Sequence, residues 1–425
     1  MEFVREIPES GHYDLIVCGA GPGGTAAAIS AARLGKRVLL VEAFGCVGGY
    51  LTSGLMGIAL DMPGKGGIPR EIIQRLLKQN AAQWADTKSY TYEIEAMKLL
   101  LETLLTDAGV DVLLYSKLTQ VKTEGRRIAG IAVDGMIPQC FTADNYVDGT
   151  GHGILSWLSG CGFALGQEAT GRQQPASLEA LVVGVPKDRW QSDVHNPAVK
   201  QKLKDMLMRV GIDSTYPAPL LFELGPGSPI HKLAVNHQYR VTAEDNASAA
   251  KATLEARREI NAAVQALRTL PGWERLTLVQ TGEQLGLRDS RRVHGLQTVT
   301  VEDALCGRQF ADSVAPVHFC MDVHKLAPDY VPAKREQALR FRPFTIPMGS
   351  LIARDMENLF LVGRCISGDF LAHSAYRTVN TAMAMGEAAG IAAAALQGAS
   401  AHATDGGAIH REMLRRGYCF EAEAQ

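Results

Sequence analysis

Between residues 13 and 42 the chain reads as an apolar strand, a glycine-rich turn, an alanine-rich helix and a second apolar strand that ends on an acid. Nothing else in the sequence restricts the fold as tightly. Residues 13–18 (YDLIVC) form a short run rich in β-formers, as expected of a buried parallel strand. Residues 25–34 are good helix formers closed by Gly35 at C′, and residues 37–41 (RVLLV) supply the second strand. Together they make one βαβ unit of about 30 residues. In its turn, Gly19, Gly21, Pro22, Gly23 and Gly24 fit the pattern GxGxxG. One glycine permits the tight turn, one lets the backbone approach a pyrophosphate, and one lets helix and strand pack closely. The pyrophosphate would sit at the helix N-terminus, where free N–H groups and the dipole favour negative charge. Glu42 follows the glycines by about 20 residues, where a carboxylate takes both hydroxyls of an adenosine ribose and repels a 2′-phosphate. The fingerprint indicates a dinucleotide without choosing between NAD and FAD.

Composition narrows the partners. The 425 residues allow two or three domain-sized units, and the net charge of −2 offers no broad field for nucleic acid or an anionic membrane. A small molecule is the expected partner. Residues 1–13 have neither the basic start nor the apolar stretch of a signal peptide, and no run of about 18 uncharged apolar residues reads as a membrane span. Eight cysteines are scattered without a CxxC pair, so a disulfide scaffold, a metal site and an iron–sulfur cluster are not expected. A reducing, cytoplasmic setting is expected.

Three further segments bear on the cofactor. Residues 42–54 (EAFGCVGGYLTSG) contain Ala43, Cys46, Gly48 and Gly49; residues 145–151 (NYVDGTG) contain Gly149, Thr150 and Gly151; residues 358–367 (NLFLVGRCIS) contain Gly363 and Arg364. They resemble, in order, the loop after the second strand, the second motif and the third flavin motif of the glutathione-reductase-like superfamily. With residues 286–292 (GLRDSRR) and 378–390, they are similar to the FAD-dependent oxidoreductase family of HdrA-like and related bacterial flavoproteins. The resemblance covers both ends and most of the middle, while residues 187–243 match no such motif. It implies one FAD, expected to be non-covalent. Arg364 stands where many members of the wider superfamily carry an acid, and His152 where relatives often place one. A helix starting near residues 376–379, with Thr378 at its head, would offer free N–H groups to the negative charge of reduced flavin around N1 and the C2 carbonyl. The plainer reading of this segment is a packed alanine-rich helix.

For catalysis, His373, Tyr376 and Arg377 cluster with Arg364 around the expected flavin edge, and Arg288, Arg291 and Arg292 form a second group. Arginines there could clamp a carboxylate bidentately, bind FAD phosphate or make structural ion pairs. His324 and His152 are weaker candidates, because a lone histidine is more often simply hydrogen-bonded in place. Cys46 lies in the loop expected to pass the flavin; a flavin-linked thiol is conceivable, and an inert one is the ordinary case.

The expected fold is α/β, a Rossmann-like, glutathione-reductase-like FAD-binding domain carrying an inserted substrate or cap domain. The expected divisions are 1–170 and 344–425 for the FAD-binding parts and 171–343 for the insert, with some return to the first domain. The expected activity is hydride transfer between a small polar, carboxylate-bearing substrate and FAD N5. Electrons would pass on to oxygen, a quinone-like acceptor or a partner protein, and a homodimer is the prior assembly. The alternative is a non-catalytic flavin carrier within a redox complex. An NAD-dependent dehydrogenase is a further rival, disfavoured by the second and third flavin-like motifs.

Overall fold

A computed structural model describes residues 6–330 and 339–421. The first strand, Glu9–Cys18, pairs in parallel with Val38–Val41 on one side and Gln139–Asp148 on the other. Asp111–Leu113 extends the parallel sheet beyond Val38–Val41. The long strand Gln139–Asp148 is shared. Its N-terminal end pairs antiparallel with Arg127–Asp134, and its C-terminal end pairs in parallel with Leu359–Leu361. Lys117–Glu124 closes that edge as a hairpin partner. The chain's two ends thus meet in one seven-stranded sheet. Its buried strands carry near-continuous apolar runs because both faces are covered.

The helix Pro22–Arg33 starts with Pro at its first position, where the missing N–H costs nothing. It crosses the helix Val379–Leu396 glycine against backbone: a Cβ on Gly386 would lie 1.9 Å from the Gly23 carbonyl oxygen, and one on Gly390 would lie 2.4 Å from that of Ala27. Only small residues allow two helices to approach so closely, which explains the alanine and glycine bias of both. Val379–Leu396 is the one helix among the described residues long and apolar enough to cross a membrane, and 83% of that stretch is buried inside the molecule. It is the central core helix. Its single charge, Glu387, accepts from Ile68 N (2.8 Å), Tyr418 Oη (2.8 Å) and Arg416 Nη1 (3.0 Å).

The apolar spacing over residues 92–107 predicts an amphipathic helix with Leu99, Leu100, Leu104 and Leu105 on its apolar face; the helix spans Ile94–Ala108, with one correction. Leu99 faces outward, 66% exposed, while Met97, Leu100, Leu101, Leu104 and Leu105 form the buried stripe.

A second, antiparallel sheet has the order Leu220–Glu223, His231–Ala234, Ala180–Val183, Thr277–Thr281. The helices Pro197–Arg209 and Asn246–Leu267 cover it, each capped by an acceptor side chain, Asn196 and Asp245. It has its own apolar cluster, including Leu203, Leu207, Ile260 and Val264 and an edge-to-face Trp190–Trp273 pair at 6.0 Å. From Val293 onward the buried side chains rejoin the main core.

Candidate functional site

The fingerprint turn is built by close backbone approach. Gly19 has φ +92°, and a Cβ there would lie 2.7 Å from the backbone of Gly149 and Thr150. A Cβ on Gly24 would lie 1.9 Å from the Gly19 carbonyl oxygen. Gly21 differs: its Cβ would meet only the Gly149 carbonyl oxygen, at 3.6 Å. Space is therefore kept open at the N-cap of a helix that no side chain caps. The glycine pair passes against this turn, since Gly48 N donates to the Ala20 carbonyl at 2.7 Å and a Cβ on Gly49 would stand 3.0 Å from Gly21 Cα. These positions form a cradle that a Cβ would fill, with first-turn N–H groups directed into it. A dinucleotide pyrophosphate fits it.

Glu42 is buried at the end of the second strand. It accepts from Ala20 N through Oε2 (2.7 Å) and from Phe44 N through Oε1 (3.0 Å). Burial raises its pKa, opposed by these N–H groups. The acid holds the turn closed. Ala43, next to it, is exposed.

Sequence reasoning missed the keystone of the second motif. Asp148 is fully buried and accepts from Thr150 N (3.1 Å), Thr150 Oγ1 (2.7 Å), Ser156 N (2.9 Å) and Ser156 Oγ (2.7 Å). Thr150 Oγ1 also accepts from Ile154 N at 2.9 Å, so the threonine braces the turn.

The third motif brings Gly363 (φ +75°) and Arg364 to the same place. A Cβ on Gly151 would stand 2.7 Å from Arg364 Nη2, so the guanidinium lies across the threonine–glycine turn. Burial, then nearby Arg377, pushes its pKa down to about 10. Among the described residues its guanidinium donates no hydrogen bond. An interior cation without an acceptor is costly, and an anionic ligand would relieve it. Thr378 is the N-cap of the core helix; its hydroxyl donates to Thr381 Oγ1 at 2.9 Å rather than capping the helix, which leaves the first-turn N–H groups open.

The catalytic candidates divide. His373 and Tyr376 have no accessible surface. His373 Nε2 bonds the Arg364 carbonyl at 3.1 Å, and its ring stands edge-on to Tyr376 at 5.3 Å. Burial, with Arg292, Arg377 and Arg364, holds His373 neutral. Both side chains, expected at the flavin edge, are thus closed off from the surface in this structure. Arg377 is tied to the Asp322 carboxylate (3.1 Å), the Asp322 carbonyl (2.6 Å) and the Arg288 carbonyl (2.8 Å). Arg291 is likewise structural: its guanidinium packs over Trp157 and Phe163 and donates to the His152 carbonyl at 3.1 Å. Arg292 is sealed and pairs with Asp289 at 3.1 Å. Arg288 is the more open of these side chains, half-buried where Arg291 and Arg292 are buried. Only its Nη1 is engaged, by Pro175 O (2.8 Å) and Ser177 Oγ (2.9 Å).

Tyr50, His152, Asp322 and Arg364 are surrounded by enough protein to be strongly desolvated, yet each retains accessible surface. Half-buried Arg288 shares its field with Tyr50 and Asp322. Burial would raise Asp322, but His324, Arg377 and Arg288 hold it well below the carboxylate range. His324 Nε2 lies 3.4 Å from Asp322, and His324 Nδ1 lies 3.1 Å from His237 Nε2. Asp322, His237 and Tyr50 were missed as site residues. Tyr50 could have been noticed beside its glycines; the other two carry no local motif.

Cys46 is half-buried, and burial raises its pKa, so the thiol is the protonated form at neutral pH. It lines a separate cavity of about 220 Å³ with Lys98, Tyr115 and Glu283. Among the described residues there is no group of three or more His, Cys, Asp or Glu side chains able to hold a metal.

A family model described as FAD dependent oxidoreductase matches residues 14–412. A thiamine thiazole synthase of Aeropyrum pernix is 32% identical over 158 residues, 33% of this chain and 54% of that protein. A soluble pyridine nucleotide transhydrogenase of a Marinomonas species is 56% identical over 41 residues, 10% of this chain and 9% of that protein. The chain thus spans 9% and 54% of the length of these two curated relatives. Among solved structures, a geranylgeranyl bacteriochlorophyll reductase-like protein of Thermoplasma acidophilum is 12% identical, covering 95% of this chain and 83% of that one, with a TM-score of 0.49.

Proposed function

From the premise that this chain belongs to the FAD-dependent oxidoreductase family, we propose that it oxidises a small carboxylate-bearing alcohol or amine by hydride transfer to FAD. In this reading the glycine cradle at Gly19, Gly21, Gly23 and Gly24 holds the pyrophosphate, with Pro22 starting the helix behind it. Glu42 takes the ribose. The turns at Gly48–Gly49 and Gly149–Gly151, Arg364 and the helix head at Thr378 receive the rest of the cofactor, in the manner of the glutathione-reductase-like fold. Bound FAD would supply the two-electron oxidant.

The observation that carries the substrate class is the pair of incompletely engaged cations Arg288 and Arg364. Arg364 has no hydrogen-bond acceptor among the described residues, and Arg288 has one nitrogen engaged. Arg288 can offer the planar fork that suits a carboxylate. Asp322 already neutralises Arg377 next to it, so the unpaired charge is concentrated on Arg288 and Arg364. Electrons would then leave to oxygen, a quinone-like acceptor or a partner protein.

The test is anaerobic addition of glycolate, lactate, malate, glycine or alanine to the flavin-loaded protein. Bleaching of the flavin band by at least one acid is expected. Arg288→Met should raise the concentration of that acid needed for half-maximal bleaching by about 10- to 100-fold, as loss of a charge-assisted bond implies. If no acid bleaches the wild type, the carboxylate class is wrong.

A further inference from the structure

Removing a hydride from an alcohol or amine also releases a proton, and the cavity wall must take it. We propose that Tyr50 accepts this proton, backed by a buried Glu179–Lys232 pair from the second sheet; the inference rests on the substrate-oxidation reading above. Tyr50 directly follows the Gly48–Gly49 pair and is half-buried. Its hydroxyl donates to Glu179 Oε1 at 2.8 Å, and Glu179 Oε2 lies 3.3 Å from Lys232 Nζ. The two charged side chains are sealed, 5% and 3% exposed, and Lys232 Nζ sits 5.6 Å from the Phe222 ring centre. Glu179 precedes the strand Ala180–Val183, and Lys232 lies on His231–Ala234, its neighbour in the second sheet.

Two glycines reserve the place of the tyrosine. A Cβ on Gly54 would lie 2.0 Å from Tyr50 Cδ2, and one on Gly286 would lie 2.3 Å from Tyr50 Oη. Neither glycine has a left-handed φ, so the backbone does not demand glycine there; the tyrosine side chain does. Gly286 is two residues from Arg288, and the charges of Arg288 and Arg364 both reach the phenol. One hydroxyl is thereby fixed next to the cations that would hold the substrate, with an internal carboxylate behind it.

The step balances as follows. The substrate O–H or N–H bond breaks, and its proton bonds to Tyr50 Oη while the phenol proton moves to Glu179 Oε1. The electron pair left on oxygen or nitrogen forms the double bond to carbon as the C–H hydride leaves with two electrons, for which FAD, when bound, would supply the acceptor. Glu179 becomes neutral while Lys232 keeps its charge. After product release the proton returns to water through Tyr50. Tyr50 is the catalytic residue of this step; Glu179 and Lys232 are positioning residues.

The experiment compares Tyr50→Phe, which keeps the ring between its two glycines, with Glu179→Gln in the flavin-loaded protein. Full flavin content, unchanged affinity for the bleaching acid, and bleaching about 100- to 10,000-fold slower are expected for Tyr50→Phe, in line with loss of general acid–base catalysis. Glu179→Gln should slow bleaching and move its pH profile. A solvent deuterium effect on bleaching is expected in the wild type and should disappear in Tyr50→Phe. A flavin-replete Tyr50→Phe protein that bleaches at the wild-type rate overturns the proposal and leaves the oxidation reading intact. If no acid bleaches the wild type, the carboxylate reading fails, and proton NMR then decides the relay. A slowly exchanging Tyr50 hydroxyl resonance, lost in Tyr50→Phe and moved in Glu179→Gln, supports it; the absence of that resonance overturns it.

Discussion

Gly21 and Gly24 sit in one turn but are glycine for different reasons. A side chain on Gly24 would collide with the Gly19 carbonyl within the folded protein, whereas one on Gly21 would project into open space 3.6 Å from its nearest neighbour. The two substitutions should therefore separate folding from cofactor retention. Gly21→Val should keep its melting temperature to within a few degrees, because the N-cap change costs only about 1 kcal/mol, and should purify without flavin. Gly24→Val should fail to fold. Absorbance at the flavin band and a thermal melt on each variant check both outcomes; a yellow Gly21→Val protein would contradict the cradle. The same scale separates Arg288 from Arg291. Both were legible as arginines in one short segment, but what surrounds each guanidinium depends on neighbours from distant segments: Trp157, Phe163 and the His152 carbonyl for Arg291, Pro175 and Ser177 for Arg288.

Among the elements, the crossing of Pro22–Arg33 with Val379–Leu396 joins the fingerprint helix to the helix whose N-terminus opens at Thr378. Because Gly386 rests on the Gly23 carbonyl, a large residue there must push the two helices apart and distort the fingerprint turn. Gly386→Leu is expected to cost at least about 1–3 kcal/mol through overpacking and to lower flavin content together with stability. A denaturant melt monitored by both circular dichroism and flavin absorbance should show the two signals falling together. The alanine-rich pattern of this helix was plain in the sequence. Its central position was not, because an alanine-rich stretch carries no amphipathic stripe to say which face meets which neighbour.

Over the whole molecule, stability should respond to acid through histidines kept neutral. His237, His324 and His152 have pKa values pushed down to about 2, 4 and 3 from an ordinary 6.5, with burial the first cause in each and nearby arginines the next for His152 and His324; at His237 the next is Arg288, then His324. The unfolded chain binds these protons near pH 6.5, and the folded chain does so only several pH units lower. Their contribution is thus complete above about pH 6.5 and is lost progressively as pH falls from there, through about 4 for His324, about 3 for His152 and about 2 for His237. The melting temperature should drop over that window, and His237→Gln with His324→Gln should flatten the drop; an unchanged slope would show that these imidazoles are not held neutral. The two histidines lie 87 residues apart in sequence and reach hydrogen-bonding distance only because the second sheet brings its His231–Ala234 end to the segment holding Asp322. By itself the sequence determined the dinucleotide turn, the acid at the second strand and the return of the C-terminal end to the first sheet, because each is encoded in consecutive residues whose backbone demands are local. Only the tertiary structure decided which neighbours hold each arginine, that His373 and Tyr376 are sealed, and that Tyr50 meets Glu179, with Lys232 behind it. Pairing between distant polar groups is settled by how the sheets and helices pack, and no local pattern records it.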